Sequence, residues 1–212
     1  VNEPLEALQH AAREYRRILN VPFVAVTGSN GKTTTASFIT EILSIKYCVG
    51  TTHGNFNNHI GLPLSIFRFD GMEDVVVLEM GANHVGEIAD LCEIAEPDTG
   101  VITNIGYAHI GEFGSIDVTA STKFELADAV QKIEGALFLN GDDKNSVEKN
   151  IKEEIPALYF GERDHNSVKA ENVTVDSEGC YSFDFQGTHF ELTIPGKHFI
   201  YSVLPALAIA YK

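Results

Sequence analysis

The sequence predicts an α/β fold: a mostly parallel, P-loop-type sheet with helices on both faces, plus a small antiparallel β appendage near the C-terminus. Three observations carry this. Short apolar runs alternate with segments of helical periodicity from residue 21 to 162, the pattern of strands joined by crossover helices. The first of those runs opens onto a glycine-rich stretch, Thr27-Gly28-Ser29-Asn30-Gly31-Lys32-Thr33-Thr34-Thr35. Beyond Gly161 the texture changes to short alternating runs separated by Gly179 and Gly187, which suits hairpins.

In chain order, residues 1-20 read as a lead-in helix. Leu5, Leu8, Ala12, Tyr15 and Leu19 recur at helical spacing, and Arg13, Arg16 and Arg17 fall on other faces. Pro22 closes it, because proline disfavours helix in the residue before it. Phe23 to Val26 is the first buried strand, followed by the glycine-rich turn and a helix from Ala36 to Ile45. Tyr47 to Gly50 is a short strand. Thr51 to Pro63 is a polar loop, and Leu64 to Phe69 a short helix. Val75 to Met80 is an apolar run of the central parallel kind. A helix over Gly86 to Ala95 stops near Pro97, and Gly100 to Ile105 is the next strand. Ile116 to Ile133 is helical, and Ala136 to Asn140 is a strand opening onto Gly141-Asp142-Asp143. The antiparallel portion is expected over 165-195, and a last apolar helix, kinked by Pro205, runs to Lys212.

Bulk properties narrow the class. The 212 residues carry 15 Lys plus Arg against 30 Asp plus Glu, a net charge of −15. A broad nucleic-acid surface needs the opposite balance, and a polyphosphate must be held by local groups and metal against a repelling field. No apolar run approaches the ~20 residues that cross a bilayer, and the charged first helix is unlike a signal peptide. Cys48, Cys92 and Cys180 are widely spaced, which reads as free thiols in a reducing cytoplasm rather than a zinc site. The first residue is Val1, as expected of a piece of a longer protein.

Strand, glycine-rich turn and helix put backbone N–H groups and a helix N-terminus around a phosphate. Gly28, Ser29, Asn30, Gly31, Lys32, Thr33 and Thr34 are the candidate cradle. Lys32 reaches terminal phosphates and a hydroxyl of Thr33 or Thr34 holds magnesium. The spacing departs from the usual pattern, which wants a glycine at position 26; Val26 stands there and the first glycine is Gly28. The turn is therefore tighter than in most P-loop proteins.

Other chemically loaded residues follow strand ends, where ligands bind in such sheets: Glu79, His109 and Asp142. Glu79 closes a buried apolar run, so it is either a metal ligand or a capping, ion-paired carboxylate. His109 is a hydrogen-bonded core histidine or a catalytic or metal-binding one. Lys123, within the long helix, is a solvated lysine, or one converted by carbon dioxide to a carbamate that can bind metal, which needs a neutral amine first. Asn55, Asn57 and Asn58 with His59 make an amide-rich loop, either a turn or a grip on a polar substrate.

These stretches resemble the Mur ligase family. The phosphate loop has its first glycine where Gly28 lies. Gly54-Asn-Phe-Asn-Asn-His-Ile-Gly-Leu-Pro63, Glu79-Met-Gly-Ala-Asn-His-Val-Gly-Glu87 and Ile102-Thr-Asn-Ile-Gly-Tyr-Ala-His109 follow the family in register. The resemblance implies that 21-212 is the central ATP-binding domain, without the UDP-sugar-binding domain before it and the closing domain after it. It implies ATP-dependent amide formation through an acyl phosphate, with UDP-N-acetylmuramoyl-tripeptide as the acid and D-alanyl-D-alanine as the amine, in peptidoglycan synthesis. Thr33 and Glu79 would hold one magnesium; His109 and a carbamylated Lys123 would hold or position a second. Asn55, Asn57 and Asn58 would face the muramoyl peptide. The sequence departs from the family at Phe199 and Ser202, where asparagines that help place adenine are usual. A cytoplasmic monomer that does not ligate as an isolated domain is expected. The other readings are a related ligase with another substrate, and an ATP-binding module without ligase activity.

Overall fold

A computed structural model describes residues 3–52, 54–106 and 115–211. Helix α1 (Pro4–Leu19) precedes β1 (Phe23–Thr27) and α2 (Lys32–Ser44). Then come β2 (Val49–Thr51), α3 (Gly61–Ile66), β3 (Val75–Glu79), α4 (Glu87–Ala95) and β4 (Thr99–Ile102). The long helix α5 (Ile116–Lys132) leads to β5 (Ala136–Asn140), α6 (Lys144–Glu153), β6 (Leu158–Gly161) and β7 (Val168–Lys169). Strands β8 (Glu171–Val175), β9 (Cys180–Phe185) and β10 (Thr188–Pro195) precede α7 (His198–Tyr211).

Among the described residues the main sheet has seven strands in the order β2-β3-β1-β4-β5-β6-β7, all parallel to their neighbours. Both faces are covered, and alternate residues of one strand serve two cores. On one face Phe23 and Ala25 join Leu78, Ile102 and Leu139 beneath α1, α3, α4 and α5. On the other, Val24 and Val26 join Val77, Val101 and Phe138 beneath α2 and α7. The antiparallel sheet, β10-β9-β8, packs Phe183 and Phe185 of β9 into this second core.

Several boundaries differ from the sequence expectation for local reasons. Helix α2 begins at Lys32 rather than Ala36, because Gly31 in the left-handed region (φ +79°) caps it directly. Helix α3 begins at Gly61 rather than Leu64, where Asn58 Oδ1 accepts from the Ile60 and Gly61 amides. Strand β4 ends at Ile102, and Thr103 to Ile105 peel off towards the phosphate loop. Helix α6, unassigned from sequence, starts where Asp143 caps the Ser146 amide. Residues 168–169 pair with β6 in the main sheet, so the antiparallel sheet starts at Glu171. Helix α7 continues through Pro205.

Arg16, read as lying off the apolar face, is buried at 8% exposure. It donates to the carbonyls of Ala95 and Glu96 and to Asp98 Oδ2, and its guanidinium lies 4.2 Å from the Phe23 ring centroid. One side chain thus caps the end of α4 and anchors α1 to the sheet.

Candidate functional site

The phosphate loop leaves β1 in the middle of the sheet and enters α2 at its positive end. Gly28 has φ +144°, and a Cβ there would lie 2.0 Å from Thr103 Oγ1, so glycine is required. Position 26, where the common pattern wants glycine, is a fully buried β1 residue paired with Glu79 and Val101; the turn starts two residues later. Two residues that sequence reasoning passed over as strand shape this turn. Thr103 Oγ1 donates to the Asn30 carbonyl (2.6 Å), and the Asn104 amide clasps Asn30 from both sides. Ser29 Oγ exchanges hydrogen bonds with the Gly106 backbone. Their only signal in the sequence is a polar pair ending an apolar run.

Lys32 Nζ donates to the Gly28 carbonyl, 3.0 Å, across its own loop. Burial lowers its pKa and Glu79 acts in the opposite direction. Thr33 Oγ1 lies 2.6 Å from Glu79 Oε2, and Asn57 Nδ2 donates to Glu79 Oε1 at 2.8 Å. The Glu79 carboxylate, buried at the end of β3, therefore meets one partner per oxygen. Thr34 follows in the first turn of α2.

Lys32, Asn57 and Glu79 line a cleft of about 330 Å³ with Gly28, Asn58, His59, Asn83 and Lys123; Thr33 is joined to it through Glu79. Lys123 is only 3% exposed. Its pKa is lowered to about 8, first by burial and then by Lys32, against Glu125 and Glu87. The far wall is pinned by carboxylates: Glu87 Oε2 accepts the Asn83 and His84 amides, and Glu125 accepts those of Gly86 and Ala89. Lys32, Thr33, Glu79, Asn57, Asn58 and Lys123 thus come together from four segments. Asn55 is exposed and lies outside the cleft lining. His109 falls in 107–114, outside the described residues. Asp142, also at a strand end, is committed elsewhere: it accepts from the Glu162 and Arg163 amides, Asn166 and Tyr201. Burial alone would raise its pKa, but these donors hold it below the usual range.

A phosphate with magnesium fits this donor set. Hydroxyl and carboxylate oxygens are the hard ligands magnesium takes, and one or two protein groups suffice because phosphates and water complete the shell. Thr33 Oγ1 and Glu79 Oε2 lie side by side, 2.6 Å apart, so both oxygens are available to one small cation. No cluster of three His, Cys, Asp or Glu able to hold a metal occurs among the described residues.

Comparison with known proteins identifies the family. The Mur ligase middle domain model matches residues 26–210. A UDP-N-acetylmuramoyl-tripeptide–D-alanyl-D-alanine ligase from Bacillus subtilis is 37% identical over 98% of this chain and 45% of its own length. The enzyme of that name from Mycobacterium bovis is 46% identical over 89% of this chain and 38% of its own. Among solved structures, MurF from Acinetobacter baumannii superposes with a TM-score of 0.89 at 28% identity, covering all of this chain and 48% of that one. MurF from Thermotoga maritima in complex with ADP gives 0.85 at 30% identity, over 99% of this chain and 49% of that one. The chain spans less than half the length of these relatives. Fold, phosphate loop and family match coincide over the same residues: the chain belongs to the Mur ligase family and corresponds to its middle domain.

Proposed function

We propose that this chain is the ATP-binding centre, residues 21-212, of a ligase that joins D-alanyl-D-alanine to UDP-N-acetylmuramoyl-tripeptide in peptidoglycan synthesis. One observation carries the proposal: Lys32, Glu79 and Lys123 line one cleft at the strand ends, with Thr33 bonded to Glu79 beside it, in a chain of this family. ATP with magnesium supplies the phosphoryl group that turns the tripeptide carboxylate into an acyl phosphate. The amine of D-alanyl-D-alanine then attacks that carbonyl, forming the amide and releasing inorganic phosphate.

The protein's own part is positioning and charge neutralisation. Amides of Gly28 to Thr34 and the N-terminus of α2 receive phosphate oxygens. The Lys32 amine, now on the Gly28 carbonyl, moves to the phosphates and sets its charge against theirs. Thr33 and Glu79 would hold the first magnesium by oxygen, leaving it to neutralise phosphate charge. Lys123, with part of its amine neutral near pH 8, adds to carbon dioxide: an N–C bond forms, a proton leaves, and the resulting anion faces Lys32. With His109 that carbamate would hold or position a second magnesium. Asn57 and Asn58 border the muramoyl-peptide side, with Asn55 further out.

No described helix is long and apolar enough to cross a membrane; the form proposed is a cytoplasmic monomer acting on nucleotide-linked precursors. The domain alone binds ATP without ligating, since half the length of its relatives lies outside it. The test is phosphate release by the full-length protein, which should require both substrates together. Release indifferent to both would defeat the ligase assignment.

A further inference from the structure

Asn57 came into view as a substrate contact, yet its side chain is turned inward, onto a carboxylate. Its Nδ2 donates to Glu79 Oε1 at 2.8 Å, while Thr33 Oγ1 lies 2.6 Å from Oε2. Its main-chain carbonyl accepts the Gly81 amide at 2.9 Å. A Cβ on Gly81 would lie 3.2 Å from the Asn57 amide group, so the amide rests flat on the turn that follows β3. The loop carrying it is tightly closed, for a Cβ on Gly61 would lie 2.5 Å from Phe56 Cα. Asn57 is therefore held through its backbone, its amide plane and its hydrogen bond at once, whereas Asn58 turns away to cap α3.

The geometry points to Asn57 as a positioning residue for the metal carboxylate, an inference that rests on the magnesium role proposed for Thr33 and Glu79. A free carboxylate can turn about its last bond and offer a cation either oxygen or both. Here Oε1 is occupied by the Asn57 amide, so Glu79 presents Oε2 alone, at the edge it shares with Thr33. A single oxygen per carboxylate is what a compact octahedral shell requires, while bidentate carboxylates suit the larger, looser shell of calcium. Asn57 thus both orients the ligand and favours the smaller ion. Partners that orient a metal ligand in this way typically change metal affinity 10–100-fold when removed. The loop between Gly54 and Gly61 also borders the cleft with Asn58 and His59, so the segment proposed to face the muramoyl peptide also holds the metal ligand in register.

The test uses the full-length protein and a fluorescent ADP, titrated with magnesium and separately with calcium. Wild type should bind the nucleotide in a magnesium-dependent way, and Glu79→Gln should lose that dependence. Asn57→Leu, similar in size but without the donor, should need at least tenfold more magnesium for half-maximal binding. It should also narrow the preference for magnesium over calcium, a readout that a purely structural role would leave unmoved. Asn57→Asp, should the leucine variant not fold, should shift the preference towards calcium by adding a second carboxylate. Unchanged magnesium dependence and ion preference in the Asn57 variants, with Glu79→Gln still defective, overturns this inference and leaves the proposed function standing. Magnesium-independent binding in wild type overturns both.

Discussion

Gly28→Ala is the most direct probe of the tight phosphate loop. The added methyl carbon would lie 2.0 Å from Thr103 Oγ1, with the backbone nitrogens of Thr103 and Asn104 at 3.1 and 3.2 Å. The hydroxyl can rotate away only by giving up its hydrogen bond to the Asn30 carbonyl, a loss of about 1 kcal/mol. The two backbone atoms cannot rotate, because the Thr103 amide is bonded to the Thr27 carbonyl. A side chain at φ +144° adds about 2 kcal/mol of strain. The total is roughly 3 kcal/mol, which lowers the melting temperature by about 6–12 °C for a chain of this size. Thermal unfolding of Gly28→Ala, Thr103→Ala and the double variant measures it. Removing the hydroxyl relieves the worst contact, so the double variant should be more stable than the sum of the two single losses. A Gly28→Ala protein melting within 2 °C of wild type, a margin of about 1 kcal/mol or less, would refute the reasoning. Strict additivity would show that Thr103 is not the obstacle.

Lys123 links the cleft to pH. Its pKa is depressed from the ordinary 10.5 to about 8, so between those values the unfolded chain holds a proton that the folded chain has released. Folding stability attributable to Lys123 therefore rises with pH across about 8 to 10.5 and is least below pH 8. In carbon dioxide-free buffer the stability difference between wild type and Lys123→Met should change over that window by at most about 3 kcal/mol. A difference independent of pH in urea unfolding would contradict the assignment. Arg16→Ala should cost about 3 kcal/mol by the same measurement, since four acceptors and a stacked ring lose their partner. Arg16→Lys should recover less than half, because one ammonium cannot reproduce the planar fork. Asp142→Ala should destabilise the fold by about 2 kcal/mol, freeing the Glu162 and Arg163 amides, and leave nucleotide affinity within about twofold. A nucleotide-binding defect without instability would return Asp142 to the site.

Period and punctuation made the architecture legible. Runs such as Val75 to Leu78 are apolar throughout because a central parallel strand is buried on both faces, and the turn residues between runs mark where crossovers begin. The glycine-rich turn, with its unusual first glycine, could be read from spacing because its geometry is local: consecutive amides and one helix end lie side by side. Glu79 could be singled out because ionised carboxylates are rare in buried strands unless something compensates them. The two uses of asparagine were not legible, since Asn57 and Asn58 are adjacent and chemically identical in sequence. One points at Glu79 and the other at α3 because Gly61 and Gly81 let the loop fold closely onto β3, a contact across 22 residues. Nor could the clamp of Thr103 and Asn104 on Asn30 be seen, since it crosses 73 and 74 residues. The sequence alone thus determined the strand–helix alternation and the phosphate-binding turn, both products of short-range sterics and hydrophobic period. Only the tertiary structure decided which side chains share the cleft, and with it the lowered pKa of Lys123, because burial and the nearness of Lys32 depend on which helix packs over which strand end.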